Sequence, residues 1–426
     1  MKTCTALHCS LLMGLLMVPS LAAPAMATAR PQSPAIAKEG APADAPIAQH
    51  QRDLLHLAWQ AASAMPLEPH AKSRSRAQET VALACLNMDQ PSLARKFARG
   101  IADWRRGSVL ADYAHYCADH GHADEALAHI TLAEEVADNL GRDEAQQEWR
   151  RDTIWLKVAS TYAELGRTAD AERTHARIEQ GSAQAFDAGW AATLTRSVEL
   201  VERDGLEREL QRLDGIVASG GSGEAYSAVA ICCRLFDKFY ADEELRERIG
   251  LRVRTRDSKL PRDLHMSILL EVAKIAARHG DAERGREALA EAAEFLRQSE
   301  LAPEYRFGYV PVMAEIRHMV GDHGAAEGEL EQGLESYHEQ RDSFRQTKRA
   351  EILRPFAEAF HVIGNRDRAV DLYGMVVEEG MENPNSRPRA HDVSETCLSM
   401  AKHGFEPTRE LMARIREIVE GLGDPW

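Results

Sequence analysis

Apolar positions along this chain recur every three or four residues, and each such run ends at a glycine. In one stretch Trp155, Val158, Ala159, Tyr162 and Leu165 form a single stripe before Gly166. Thr168 then opens a second run that carries Ala171 and Ile178. A glycine in this place supplies the left-handed backbone that closes a helix, and a threonine supplies the side chain that starts one. The plan recurs with Leu110, Tyr113, Ala114, Cys117, Gly121, Ala126 and Ala133, and with Leu269, Val272, Ala273, Ala276, Gly280, Leu289 and Ala292. It recurs again with Val310, Met313, Ala314, Gly321, Ala326 and Leu330, and with Leu353, Phe356, Ala357, Phe360, Gly364, Ala369 and Tyr373. Each block predicts a helix, a tight turn and a second helix.

The stops Gly121, Gly166, Gly205, Gly280, Gly321, Gly364 and Gly404 are 45, 39, 75, 41, 43 and 40 residues apart. The long interval is close to two periods, which puts an unmarked stop near Tyr240 to Asp242. A period of about forty residues is what a two-helix repeat occupies. Few runs alternate with period two, so no sheet is expected. The expectation is an all-α solenoid of about nine helix-turn-helix repeats over residues 51–426. It closes on a C-terminal helix, Glu406 to Gly421, whose Glu410, Arg414, Arg416, Glu417 and Glu420 read as a polar cap. Pro311 and Pro355 are expected near the starts of two first helices, where a proline kinks the chain or makes the helix begin late.

Trp155, Ala159, Tyr162, Gly166 and Ala171, in their order and spacing, resemble the tetratricopeptide signature. The resemblance spans about Ser75 to Val419, with poor matches from Gly189 to Leu213 and from Tyr226 to Arg248. The period here exceeds the ~34 residues of that family, which implies longer second helices or loops. The resemblance implies stacked hairpins, with small residues where paired helices cross and a groove lined by first helices. In that pattern the groove positions fall on His115, Asp119, Ser160, Glu164, Lys274, Arg278, Glu315, His318, Arg354, Glu358 and His361. They imply a protein or peptide partner. Lys274, Arg278 and Arg354 favour an acidic segment, and the histidines a dependence on pH near ~6.5.

The N-terminus alters the picture of where such a solenoid works. Met1 and Lys2 precede an apolar stretch from about Ser10 to Ala23, then Ala25-Met26-Ala27. Charge, apolar core and an Ala-x-Ala site are the order of a secretory signal, so residues 1–27 are expected to be cleaved and the protein exported to the periplasm or beyond. The apolar core is shorter than the ~20 residues a membrane span needs. Residues 28–50, with Pro31, Pro34, Pro42 and Pro46, read as a disordered, extended Ala/Pro linker.

Charge and chemistry narrow the function. The formal net charge of −15, without a basic stripe, argues against nucleic acid. Cys85, Cys117, Cys232, Cys233 and Cys397 are scattered on apolar helix positions, as small core residues would be. The cluster His115, Cys117, Asp119, His120, His122 and Asp124 has zinc-type donors but no known ligand spacing, so no metal and no cofactor is expected. No nucleophile elbow, zinc-protease helix or phosphate loop occurs. The glycine-rich run between Gly215 and Gly223 lacks a following lysine and reads as a flexible loop. The functional expectation is a non-catalytic exported scaffold. Its alternative is a helical-toroid enzyme acting on envelope polysaccharide, which would stack sugars on aromatics and use two carboxylates. Aromatics are only 6% of the chain, and Trp155, Tyr162, Phe356 and Phe360 already have core positions.

Overall fold

The computed structural model describes residues 40–140, 148–178, 198, 201–219, 222–255 and 261–426. Among them are eighteen α-helices and no strand: the chain is all-α. The expected signal peptide and most of the expected linker lie outside the described residues. Among the described residues no helix is long and apolar enough to cross a membrane.

Two compact units divide the chain. One holds the described residues between Leu194 and Met375; the other holds those up to Thr193 together with Val376–Trp426. The outer unit is discontinuous in sequence.

In the outer unit the helices are α1 (Gln49–Ala64), α2 (Leu67–Asn87), α3 (Pro91–Ala98), α4 (Arg105–Asp119), α5 (Ala123–Asn139), α6 (Glu148–Glu164) and α7 (Thr168–His175). The inner unit contains α8 (Leu206–Ser219), α9 (Ser222–Lys238), α10 (Glu243–Thr255), α11 (Arg262–Arg278), α12 (Ala282–Gln298), α13 (Pro303–Met319), α14 (His323–Gln340) and α15 (Gln346–Val362). The unit boundary falls within α16 (Arg366–Met381), and α17 (Ser386–His403) and α18 (Arg409–Glu420) complete the outer unit. In each unit a first helix packs on its own second helix and on the next first helix. This gives the rows α2–α4–α6 and α9–α11–α13–α15, the stacking that makes a helical-hairpin solenoid.

One capping motif turns most of these hairpins. At Gly121, with φ +82°, the chain leaves the helical region, and His122 N donates back to Cys117 O at 2.8 Å. Such a bond from two residues past the helix satisfies a carbonyl that the helix itself leaves open. The same bond closes the turns at Gly166, Gly280, Gly321, Gly364 and Gly404, from Arg167, Asp281, Asp322, Asn365 and Phe405. It also forms from Gln90 N to Cys85 O, where the left-handed residue is Asp89 at φ +52°. Some second helices start on side-chain caps: Asp281 accepts from Arg284 N and Asn365 from Arg368 N, whereas Asp322 makes no such bond and Thr168, expected as a cap, lies inside α7 after Arg167.

Apolar stripes set the packing. Trp155, Tyr113, Phe356, Phe360 and Tyr373 are almost wholly enclosed, as are the alanines Ala114, Ala126, Ala314, Ala357 and Ala369 where helices cross. A buried side chain of leucine size gains about 1.5–3 kcal/mol from leaving water. Small residues permit the close approach that delivers this gain. A Cβ at Gly333 of α14 would lie 2.7 Å from Phe356 and 3.0 Å from Val310, on the neighbouring helices α15 and α13.

Several expectations are corrected. Gly205 does not end a helix in the left-handed region; it immediately precedes α8. The run from Gly215 is no loop, because Leu206, Leu210 and Leu213 bury one stripe that carries α8 through Gly215 to Ser219, and Ser222 already opens α9. Gly220 and Gly221 lie outside the described residues. The unmarked stop near Tyr240 is a turn at 239–241, so α9 and α10 form a hairpin although their sequence matches the repeat poorly. Pro311 and Pro355 sit in the middle of α13 and α15, not at their starts. The C-terminal helix is not a free cap. In α18, Leu411, Ile415 and Ile418 form one buried stripe, and the helix packs on both α17 and α1.

Residues 40–50 also depart from the disordered linker. After a bend at Gly40, with φ +80°, residues 42–48 form no helix and are bound, and α1 begins at Gln49. Their backbone finds partners: Ala45 N donates to Asp89 O at 2.8 Å, and Gln90 Nε2 donates to Ala45 O at 2.7 Å.

Two glycines of α14 separate packing from helix propensity. Gly333→Ala should cost about 1–3 kcal/mol by overpacking against Phe356. Gly328→Ala, with nothing near its Cβ, should gain up to about 1 kcal/mol. Urea midpoints of the two variants check this; equal effects would show that Gly333 is not a contact point.

Candidate binding faces on the first helices

Counting back from each turn glycine gives the faces that first helices turn away from their second helices. The residues nine, six and two before the glycine are Asp112, His115 and Asp119 on α4, then Lys157, Ser160 and Glu164 on α6. On α11 they are Glu271, Lys274 and Arg278. Helical periodicity puts such a set on one face. On α13 and α15 the nine-before positions are Val312 and Pro355; Glu315 and Glu358 keep the six-before place, while His318, His361 and Arg354 are each one residue off the register. The eleven expected groove residues therefore divide between the units. His115, Asp119, Ser160 and Glu164 are on α4 and α6 of the outer unit; the other seven are on α11, α13 and α15 of the inner one.

The nine-before row holds charged pairs that the sequence pattern alone does not reveal. Lys157 Nζ donates to Asp112 Oδ2 and to Ser108 Oγ, each at 2.7 Å, tying α6 to α4. Arg105 reaches Glu79 Oε2 on α2 at 3.0 Å and Asp103 Oδ2 at 2.8 Å. Two cations thus face three carboxylates. Arg105 already has Asp103 and Lys157 has Asp112, which leaves Glu79 as the surplus charge. Burial pushes its carboxyl above the ordinary range, against the pull of Lys157 and Arg105.

Corresponding chemistry recurs on α11. Arg278 reaches Asp237 on α9 at 3.1 Å and Glu271 at 3.5 Å, while His279 Nε2 meets Asp237 at 2.8 Å. Burial raises the Glu271 carboxyl, and Lys274 and Arg278 oppose that. Arg278 is therefore paired within the fold while remaining partly exposed. On α13, His318 Nδ1 lies 2.9 Å from His323 Nδ1 across the turn. Burial and the second imidazole both lower the pKa of His318.

Two nitrogens on these faces are enclosed and have no hydrogen-bond partner: His115 Nδ1 and Arg354 Nε. Enclosed polar atoms in native proteins usually have partners, and others off these faces, Gln78 Oε1 and Arg246 Nε among them, share this state. By contrast, the other donors of the histidine-rich turn are already used. His122 Nδ1 donates to Gly40 O at 2.7 Å, His120 Nδ1 to Tyr116 O at 2.8 Å, and burial pushes the Cys117 thiol up to about 12. Among the described residues no three His, Cys, Asp or Glu side chains group closely enough to hold a metal. Cys232 and Cys233 are both buried thiols of α9. Two shallow hollows, of about 430 Å³ beside Asn365 and about 300 Å³ between α1 and α18, are lined by none of the eleven residues.

No protein family matches the chain, and no curated protein does. Among solved structures, a circular tandem repeat protein with novel repeat topology and enhanced subunit contact surfaces is 15% identical, with a TM-score of 0.23. The match covers 87% of this chain and 96% of that one. At that score the likeness carries no weight for fold or role.

The surplus charge at Glu79 gives a pH signature. A carboxyl whose folded pKa is raised favours folding fully below the unfolded value near 4.5, and that advantage is lost as pH rises through the folded value. Urea midpoints of Glu79→Gln and wild type should therefore diverge in the variant's favour as pH rises above the ordinary carboxyl value of 4.5. A gap that stays constant would show that Glu79 ionises normally.

Proposed function

We propose that this chain is a non-catalytic exported scaffold, tetratricopeptide-like in its repeats, that holds a protein or peptide segment against its first-helix faces. The observation that supports it most is the pair of unpartnered nitrogens, His115 Nδ1 and Arg354 Nε, at positions singled out as groove-lining from the repeat pattern alone. A peptide carbonyl or carboxylate is the complement of Arg354 Nε, and of His115 Nδ1 in the tautomer that carries its proton there. Mixed charge on the same faces, with Lys274 and Arg354 among the cations, suits an acidic segment. Placement outside the cytoplasm rests on the signal-like order of residues 1–27.

The test uses affinity capture from the extracytoplasmic fraction by wild type and by a Lys274→Glu/Arg354→Glu variant. Arg278 is left in place, because reversing it would set a third negative charge beside Asp237 and Glu271. Whatever partner wild type retains should bind the variant about tenfold to a hundredfold more weakly, the scale of lost hydrogen bonds to charged groups. Unchanged retention by a variant with wild-type circular dichroism would refute the groove.

A further inference from the structure

The bound stretch Gly40–Ala48 is read by the hairpin edge in a way that generic packing does not require. Asp44 Oδ1 accepts from Ser92 N at 2.8 Å, in the first turn of α3. That helix follows Gln90, whose side chain makes no cap hydrogen bond to it, so a carboxylate from a distant segment fills the role. Gln90 Nε2 is turned toward the segment instead, donating to Ala45 O, while Ala45 N donates to Asp89 O. Both backbone groups of Ala45 are thereby engaged, the amide by a backbone carbonyl and the carbonyl by a side-chain amide. Two residues before Asp44, Pro42 is buried, and His122 Nδ1 donates to Gly40 O at 2.7 Å. Asp89 is fixed for this task by its left-handed backbone and by Tyr116 Oη, which donates to its carboxylate at 3.0 Å.

The reading elements come from two successive hairpins: Asp89, Gln90 and Ser92 at the turn of the first, His122 at the turn of the second. None is among the eleven first-helix positions. What they recognise is a short extended motif, a buried proline, a carboxylate two residues on, and a following residue held through its backbone alone. We infer that this edge is a peptide-binding site for an extended Pro-x-Asp-x segment, occupied here in cis by the chain's own residues Gly40–Ala45. Covalent tethering places the arm at an effective concentration in the mM range, so it outcompetes free peptide at lower concentrations. A segment in trans binds when the arm is released.

The experiment uses the full chain throughout. A Pro42→Ser/Asp44→Ala variant removes the arm's two recognition groups and leaves Asp89, Gln90, Ser92 and His122 intact. Hydrogen exchange at the Ala45 amide reports whether the arm has left, and the probe is a fluorescent peptide of residues 38–48. Wild type should protect Ala45 and bind no probe at low micromolar concentration. The variant should lose the protection and bind the probe saturably. The same probe carrying alanine for its aspartate should bind about tenfold more weakly, the scale of one hydrogen bond to a charged acceptor. Adding Ser92→Pro, which removes the receiving amide at a first-turn position that tolerates proline, should weaken binding by a similar factor. Three outcomes overturn the inference: persistent Ala45 protection in the variant, a released arm with no saturable probe binding, or binding indifferent to the aspartate.

Discussion

A single backbone hydrogen bond, from the amide just past each turn to a carbonyl in the last turn of the first helix, governs the rest of the structure. It forms at seven hairpins between 2.8 and 3.0 Å. With one left-handed residue between, it sets the direction in which the second helix departs within about six residues. Hairpins of similar shape then follow from similar turns, and the stack follows from how closely they can approach. Alanine at the crossings and Gly333 against Phe356 supply that approach. Because the count starts anew at every turn, residues at the same distance before it arrive on the same side of successive first helices. Asp112 and Lys157, each nine before its glycine, meet at 2.7 Å for this reason.

The parts of this scheme written in local sequence were legible. Six of the seven glycines chosen as stops have the left-handed backbone, and the unmarked turn near Tyr240 falls where the interval of 75 residues placed it. What local sequence does not encode was misread. Asp89 makes the same turn as a glycine, stabilised by the Tyr116 hydroxyl from the next hairpin. Gly205 follows a helix-like pattern yet stands at a helix start. In α18 the charged residues drew attention from the stripe Leu411, Ile415 and Ile418, whose burial depends on α1, hundreds of residues earlier. Pro42 and Asp44 looked like linker because their partners, Ser92 and Gln90, are remote in sequence.

The candidate faces were legible to the same degree. Periodicity located His115 and Arg354, two positions with unpartnered nitrogens. It passed over Glu79, Asp112, Lys157 and Glu271, because their character comes from pairing between helices and from burial. It also placed Arg278 in the groove, where Asp237 and Glu271 pair with it. Register says which way a side chain leaves its helix. Only its neighbours say whether its charge is already spent.

The packing of α17 along α1 has a consequence for biosynthesis. Gln51 Nε2 bonds to Ala401 O and Ser394 Oγ to Ala58 O, contacts that span 350 and 336 residues. Closing a flexible loop of that size costs about 5 kcal/mol in chain entropy. During synthesis, Leu54, Leu55, Ala58 and Ala62 of α1 emerge long before the helix that covers them, and the inner unit has been made in between. The outer unit's seam is therefore a late, non-local step in folding. Until it closes, α1 is a sticky surface for which a holding chaperone has a use.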